Sequence, residues 1–255
     1  MIVNTSPAKT LDFNSAYKLN FEPTIPVFVA RSSTVVKRLK KCSITSLIKL
    51  FDISKSIAEV NVDRFDRWNK YHNKNNARPA LLAYNGDIYR QLSKYTYSKK
   101  EQEYAQEHVR IISGLYGILR AYDLIQPYRL EMSIKISVDN KKNLYDFWER
   151  DVTNFLNEEI KTHPAHYIIN LASHEYSDVI DKKKLAAKLI SIEFRQRKNN
   201  RVFNYGLYAK RARGMMIEYM IKNLVTTTEE LHSFKTNGYK FTKSDSSHIY
   251  FEKRI

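Results

Sequence analysis

Apolar residues recur at helical spacing over two stretches near the start of the chain. Val36, Leu39, Leu47, Leu50 and Phe51 mark residues 33–52, and Ile57, Val60, Phe65 and Trp68 mark 54–72. A third helix is predicted over 98–109, opened by Ser98 with Glu101 three residues on, the pattern of a capping box. Residues 144–161 carry a stripe of Leu144, Phe147, Trp148, Val152, Phe155 and Leu156, and 211–222 reads as a further helix. Short apolar runs bounded by turn residues predict strands: 1–4, 79–84 ending at Asn85-Gly86-Asp87, and 167–171. A hairpin of 189–194 with 201–208 is expected around Lys198-Asn199-Asn200, and 239–241 pairs with 248–251. Strands and helices are interspersed without regular βαβ alternation. The expected fold is α+β, one compact mixed domain over 1–255.

The chain has 255 residues, 43% of them hydrophobic and 27% charged, so it can bury a sizeable core and is not a disordered or fibrous sequence. Six Gly and six Pro leave no room for collagen-like or Pro-rich architecture. No P-loop, dinucleotide fingerprint, nucleophile elbow or HExxH is found. Cys42 is the one cysteine, which excludes a disulfide framework and any multi-thiolate metal site and points to a reducing compartment. No charged leader or membrane-length apolar run is present, and the cytoplasm is the expected location. No metal or cofactor is expected: His163 and His166 are the only close histidine pair, with Pro164 between them.

Charge changes the picture. Forty-three Lys and Arg against 27 Asp and Glu give a net charge of +16, which favours polyanionic partners. The Lys, Asn, Ile and Tyr bias of an AT-rich genome would raise lysine without any such partner. Clustering separates the two: from Lys182 to Arg213 there are eleven cations and one acid, Glu193. A solvated face normally mixes signs.

Four polar segments interrupt the apolar pattern. Ser6-Pro7-Ala8-Lys9-Thr10 follows the opening strand and offers hydroxyls, amides and an ammonium to an anion, or is an ordinary turn. Gly114 and Gly117 bracket Tyr116 and lead to Arg120, Asp123, Tyr128, Arg129 and Glu131, a set suited to gripping a ligand or to an internal ion-pair network. Asn170, Ser173, Glu175 and Tyr176 sit where a buried strand ends, the usual ligand position of an open sheet. Lys210, Arg211 and Arg213 open a helix, where cations oppose the macrodipole and an anionic ligand would favour them.

Taken together, Ser6-Pro-Ala-Lys-Thr10, Tyr84-Asn-Gly-Asp87, Ser113-Gly-Leu-Tyr-Gly-Ile-Leu-Arg120, Gln126-Pro-Tyr-Arg-Leu-Glu-Met132, Asn170-Leu-Ala-Ser173 and Tyr208-Ala-Lys-Arg-Ala-Arg-Gly214 resemble the YaaA family, bacterial proteins associated with hydrogen peroxide resistance. The resemblance implies a basic cleft, a helix-hairpin-helix element at about 44–72, duplex DNA binding, and protection through shielded DNA and lowered reactive iron. It implies cleft cations at Lys9, Arg120, Arg129, Lys210, Arg211 and Arg213, and a phosphate-gripping hairpin at 57–65. Glu59 stands where a glycine of that hairpin is usual, and Asn85 where a lysine is common.

The expected function is therefore DNA binding in the peroxide response, gripping duplex DNA, distorted or damaged duplex included, largely without sequence specificity. Ser6, Lys9, Thr10, Tyr116, Arg120, Tyr128, Arg129, Asn170, Ser173, Tyr176, Lys210, Arg211 and Arg213 are the candidate contacts. The alternative is an enzyme acting on a nucleotide-like or other anionic small molecule, with Asp123, Glu131 and Glu175 as acid–base candidates.

Overall fold

Every residue of the first strand, β1 (Ile2–Thr5), is buried, because β1 lies inside a sheet rather than at its edge. A computed structural model of the chain describes residues 1–199 and 201–255. After β1 come α1 (Val29–Leu39), α2 (Ile44–Phe51), α3 (Lys55–Arg67), β2 (Arg78–Pro79), α4 (Ala80–Ala83) and α5 (Lys99–His108). The chain continues through β3 (Val109–Ser113), β4 (Gly117–Arg120), β5 (Leu124–Ile125), α6 (Leu144–Ile160), β6 (Tyr167–Asn170) and α7 (His174–Ser177). It closes with β7 (Lys188–Lys198), β8 (Arg201–Phe203), α8 (Gly206–Asn223), α9 (Thr228–Leu231), β9 (Lys240–Ser244) and β10 (His248–Arg254).

The mixed helix and strand content agrees with the sequence pattern, but the centre of the sheet is parallel. The order is β4-β3-β1-β6-β7-β10-β9, with β3, β1, β6, β7 and β10 parallel; the edge strands β4 and β9 are antiparallel, as is β8, which pairs with the end of β7. Parallel strands buried on both faces read as plain apolar runs, which hides their direction. The register aligns Asn4 with Asn170 and Asn170 with Ser191, so β1 and β6 end together. Strand β7 outruns β6, and its last residues pair with β8 on one edge and β10 on the other.

Local signals explain the helices. Ser98 and Glu101 form the capping box of α5, and Asn143 caps α6. The expected 33–52 helix is two helices, because Ser43 caps a new start at Ile44. The helix expected over 54–72 stops at Arg67, and its interior covers 57–65, so the expected hairpin is absent there. Glu59 and Asn61 lie within a helix, and the fully buried Asn61 side chain donates back to the Ile57 carbonyl at 2.7 Å. Amides inside a helix are already paired and cannot grip phosphate.

The expected strand at 79–84 is two residues of β2 and one turn of α4. The carbonyls of Leu82 and Tyr84 are taken by the buried Lys94 ammonium at 3.0 and 2.6 Å. Burial pulls Lys94 down to about 8. Sequence periodicity also misses β3 and β4, which pair across the Gly114–Gly117 turn. There Gly117 has φ +70°, and a Cβ on it would fall 2.6 Å from the Trp148 ring. The β7–β8 hairpin is present, though the predicted turn residue Asn200 lies outside the described residues. The strand expected to reach 208 ends at Phe203, and α8 begins at Gly206.

Candidate functional site

Side chains from the ends of β1 and β6 meet at one corner of the sheet. The Ser173 amide donates to Ser6 Oγ at 2.9 Å, and Asn170 Oδ1 accepts the Ala172 amide at 3.1 Å. These two bonds shape the turn that leads into α7. Tyr89 holds the other side of the β1 exit, its hydroxyl donating to the Ser6 carbonyl at 2.8 Å. Helix α8 closes the corner. Gly214 lets it approach, since a Cβ there would run into the Ile88 carbonyl and lie 2.9 Å from Gln91 Cγ.

The result is a pocket of about 250 Å³ lined by Ser6, Lys9, Thr10, Ser173, Glu175, Tyr176, Lys210 and Arg213, with Gly86–Tyr89 as its far wall. Open sheets place ligands at the carboxyl ends of their parallel strands, which is where this pocket lies. Lys210 and Arg213 sit three residues apart on α8 and so share a face. Arg213 is half-buried, and no ion pair or hydrogen bond of its side chain is found among the described residues. Burial pushes its guanidinium below its ordinary value, with only the charge of Glu193 acting the other way. A half-buried guanidinium without a carboxylate is costly unless something anionic fills the space beside it.

A shallow groove continues from the pocket past Lys9 and Tyr176 to Tyr128, Arg129 and Glu131. Glu131 accepts Lys9 at 2.9 Å and Arg129 at 3.0 Å. Burial pushes its carboxyl up, but the hydrogen bonds and charges of Lys9 and Arg129 outweigh that and hold it low. The Tyr128 hydroxyl is buried between Ser113 Oγ at 2.7 Å and Tyr84 at 2.5 Å, a support beneath the groove. Glu175 faces the pocket and accepts Ser133 Oγ at 2.8 Å. Arg211 sits on the rim, 3.7 Å from Asp87.

Three of the sequence candidates lie elsewhere, each for a visible reason. Arg120 and the buried Arg110 share the carboxylate of Glu159 on α6, Arg120 at 2.5 Å, forming an internal ion-pair network. Asp123 is buried and accepts Thr24 Oγ1 at 2.5 Å and the Arg120 amide at 2.8 Å, fixing the turn after β4. Tyr116 is fully buried, its hydroxyl meeting Trp68 Nε1, His72 Nε2 and the Gln126 amide, each at 3.0 Å.

The long basic run is also divided. Lys188 pairs with Tyr167 at the start of β6, so Lys182–Lys188 lie at the opposite end of the sheet from the pocket. Arg64 on α3 was not singled out by the sequence. Burial and the nearby charge of Arg129 lower its pKa, against the pull of Asp63. His163 meets His108, not His166. With Glu107 these two bring donor atoms within 4.8 Å of one another, beyond the amino end of β3. No helix among the described residues is long and apolar enough to cross a membrane.

A mainly parallel central sheet with helices packed around it, and a cation-lined pocket at its carboxyl edge, places the chain among proteins of mixed α/β architecture. Comparison with known proteins is more specific: the family described as peroxide stress protein YaaA matches residues 1–245. A UPF0246 protein of Aliivibrio fischeri (strain MJ11) is 39% identical over 247 residues, covering 97% of this chain and 95% of the relative. One from Bordetella petrii is 40% identical over 247 residues (97% and 96%), and one from Saccharophagus degradans is 39% identical over 256 residues, 100% of each chain. The chain belongs to the YaaA family of peroxide stress proteins.

Proposed function

We propose that this protein serves the peroxide response by binding DNA through its phosphates, limiting oxidative damage to the strand it covers. The observation that carries this is Arg213, half-buried and without a carboxylate partner among the described residues, beside Lys210 and Lys9 in a pocket also lined by Ser6 and Ser173. A phosphate takes charge-assisted hydrogen bonds from such a set. The side chains lining this pocket suit phosphate contacts, so backbone phosphates dominate the interface and sequence specificity is low. The net charge of +16 draws in any polyanion and makes affinity fall with salt.

The experiment is a salt titration of duplex binding by the wild type and by Lys210→Ala with Arg213→Ala. The double variant should bind more weakly on every sequence, with its log–log salt slope flatter by about 0.9 for each phosphate it no longer neutralises. An unchanged affinity and slope would remove these residues from the interface. A second reading, an enzyme acting on an anionic small molecule, is favoured by the pocket's concavity and by Glu175 facing into it. Stabilisation by a mononucleotide that is abolished in Arg213→Ala, together with turnover abolished in Glu175→Gln, would put that reading first.

A further inference from the structure

Large apolar side chains cluster on the surface where β8 leads into the first turn of α8. Val202, Tyr205, Leu207 and Tyr208 are 42%, 45%, 50% and 45% exposed within seven residues. Elsewhere such residues are scattered along the chain, and single ones need no explanation. Here they stand together with cations: 194–217 contains seven Lys and Arg and no acid. The pairing of β7 brings Arg197 beside Val202 on one edge and Arg254 on the other, and Lys198 beside Arg201. One side-chain carboxylate near this tip, Glu252, is taken by Arg197 at 2.8 Å.

The aromatic rings are ordered. Phe203 stacks on Tyr205 with centroids 5.7 Å apart and planes 22° from parallel, and Tyr208 stands edge-on to Tyr205 at 5.9 Å. The Tyr205 amide donates to Gln196 Oε1 at 2.9 Å, and Gln196 Nε2 donates to the Tyr239 hydroxyl at 2.6 Å, which ties this row to β7. A side chain added at Gly206 would meet nothing within 4 Å, so the space in front is open. Flat rings at fixed spacing, open on one side, with Lys198 and Arg201 on the Phe203 face of the hairpin and Arg197 and Arg254 on its other face, fit a planar group that carries negative charge.

We infer that the end of β7, with β8 and the first turn of α8, is a stacking site for unpaired nucleobases whose phosphates the surrounding cations neutralise. This rests on the DNA-binding reading above and adds to it a preference for exposed bases. A base has a π-face whatever its identity, so Tyr205 and Tyr208 would hold single strands or bulges without reading sequence. A paired duplex hides those faces and would gain only from the cations.

The test compares a labelled oligothymidine with a duplex of equal length, using wild type, Tyr205→Ala with Tyr208→Ala, and Tyr205→Phe with Tyr208→Phe. The Ala pair should weaken oligothymidine binding by about tenfold or more and leave the duplex nearly unchanged, while the Phe pair, which keeps both rings, binds as wild type. Equal affinities of wild type and the Ala pair for oligothymidine, with duplex binding intact, would overturn the stacking site and leave the DNA-binding reading standing. A wild type that binds neither nucleic acid would overturn both. Anionic vesicles bound in preference to oligothymidine, or a dimer dissociated by the Ala pair, would assign the patch to a membrane or to a second copy and overturn it as well.

Discussion

Ser6 and Ser173 are 167 positions apart, and the hydrogen bond from the Ser173 amide to Ser6 Oγ joins the exits of two adjacent parallel strands. Their alignment sets the width of the pocket, because Lys9 and Glu175 follow directly from these two turns. Ser6→Ala leaves the Ser173 amide without that acceptor and should destabilise the fold by about 1–2 kcal/mol. It should also weaken DNA binding more than its own single hydroxyl would predict. Urea unfolding and anisotropy on the same preparation check both effects. Unchanged stability would mean that the bond does not hold the corner together.

Gly214 is the point of closest approach between α8 and the segment that leads to Tyr89. Gly214→Ala forces a methyl group against the Ile88 carbonyl, so either α8 or the pocket wall must move. A loss of about 1–3 kcal/mol is expected, with weaker anion binding because Arg213 moves with the helix. Thermal melts and phosphate-dependent stabilisation of the variant give the two numbers.

The legible parts of the sequence were those fixed by local chemistry. Ser98 with Glu101 announced α5, and the stripe from Leu144 to Leu156 announced α6. The segments at Ser6–Thr10, Asn170–Tyr176 and Lys210–Arg213 were recognisable as polar breaks in apolar runs, and the fold brings them to one pocket. Strand direction was not legible, because Ile2–Thr5 and Ile168–Asn170 are buried whichever way their neighbours run. Nor could spacing tell a cleft cation from a structural one. Arg120 and Arg129 both stand near tyrosines and precede acids, yet the partner of Arg120 is Glu159, 39 positions away, while Arg129 pairs two residues on with Glu131. The hairpin expected at 57–65 is instead part of α3 for a related reason: Glu59, standing where a glycine was expected, is a residue that continues a helix.

Acid should weaken the fold through its buried histidines. Burial lowers His72 and His163 from 6.5 to about 4, His163 also through the Met1 amino group, His108 and Arg110. A depressed histidine pKa means that the unfolded chain takes up protons which the native state refuses. Stability is therefore whole above pH 6.5 and declines as pH falls toward 4, by about 1–2 kcal/mol per histidine at pH 5. Urea midpoints measured across this window should fall, and His72→Gln or His163→Gln should flatten the slope. A slope unchanged in both variants would assign the acid sensitivity to other groups.

Glu131 opposes stability to binding. Its carboxylate neutralises Lys9 and Arg129 at the junction of pocket and groove, and its Oε2 is buried without a partner among the described residues. Lys9 is exposed and its pair contributes little, whereas Arg129 is largely buried and loses its counter-charge if Glu131 is removed. Glu131→Gln should thus cost about 1–3 kcal/mol of stability. If DNA phosphates follow the pocket and groove as proposed, the same change removes a negative charge from their path and releases two cations to it, so DNA affinity should rise and its salt slope steepen. Denaturation and salt-titrated binding must then move in opposite directions. A variant that loses both stability and affinity would show that Glu131 positions Lys9 and Arg129 for the phosphate instead of competing with it.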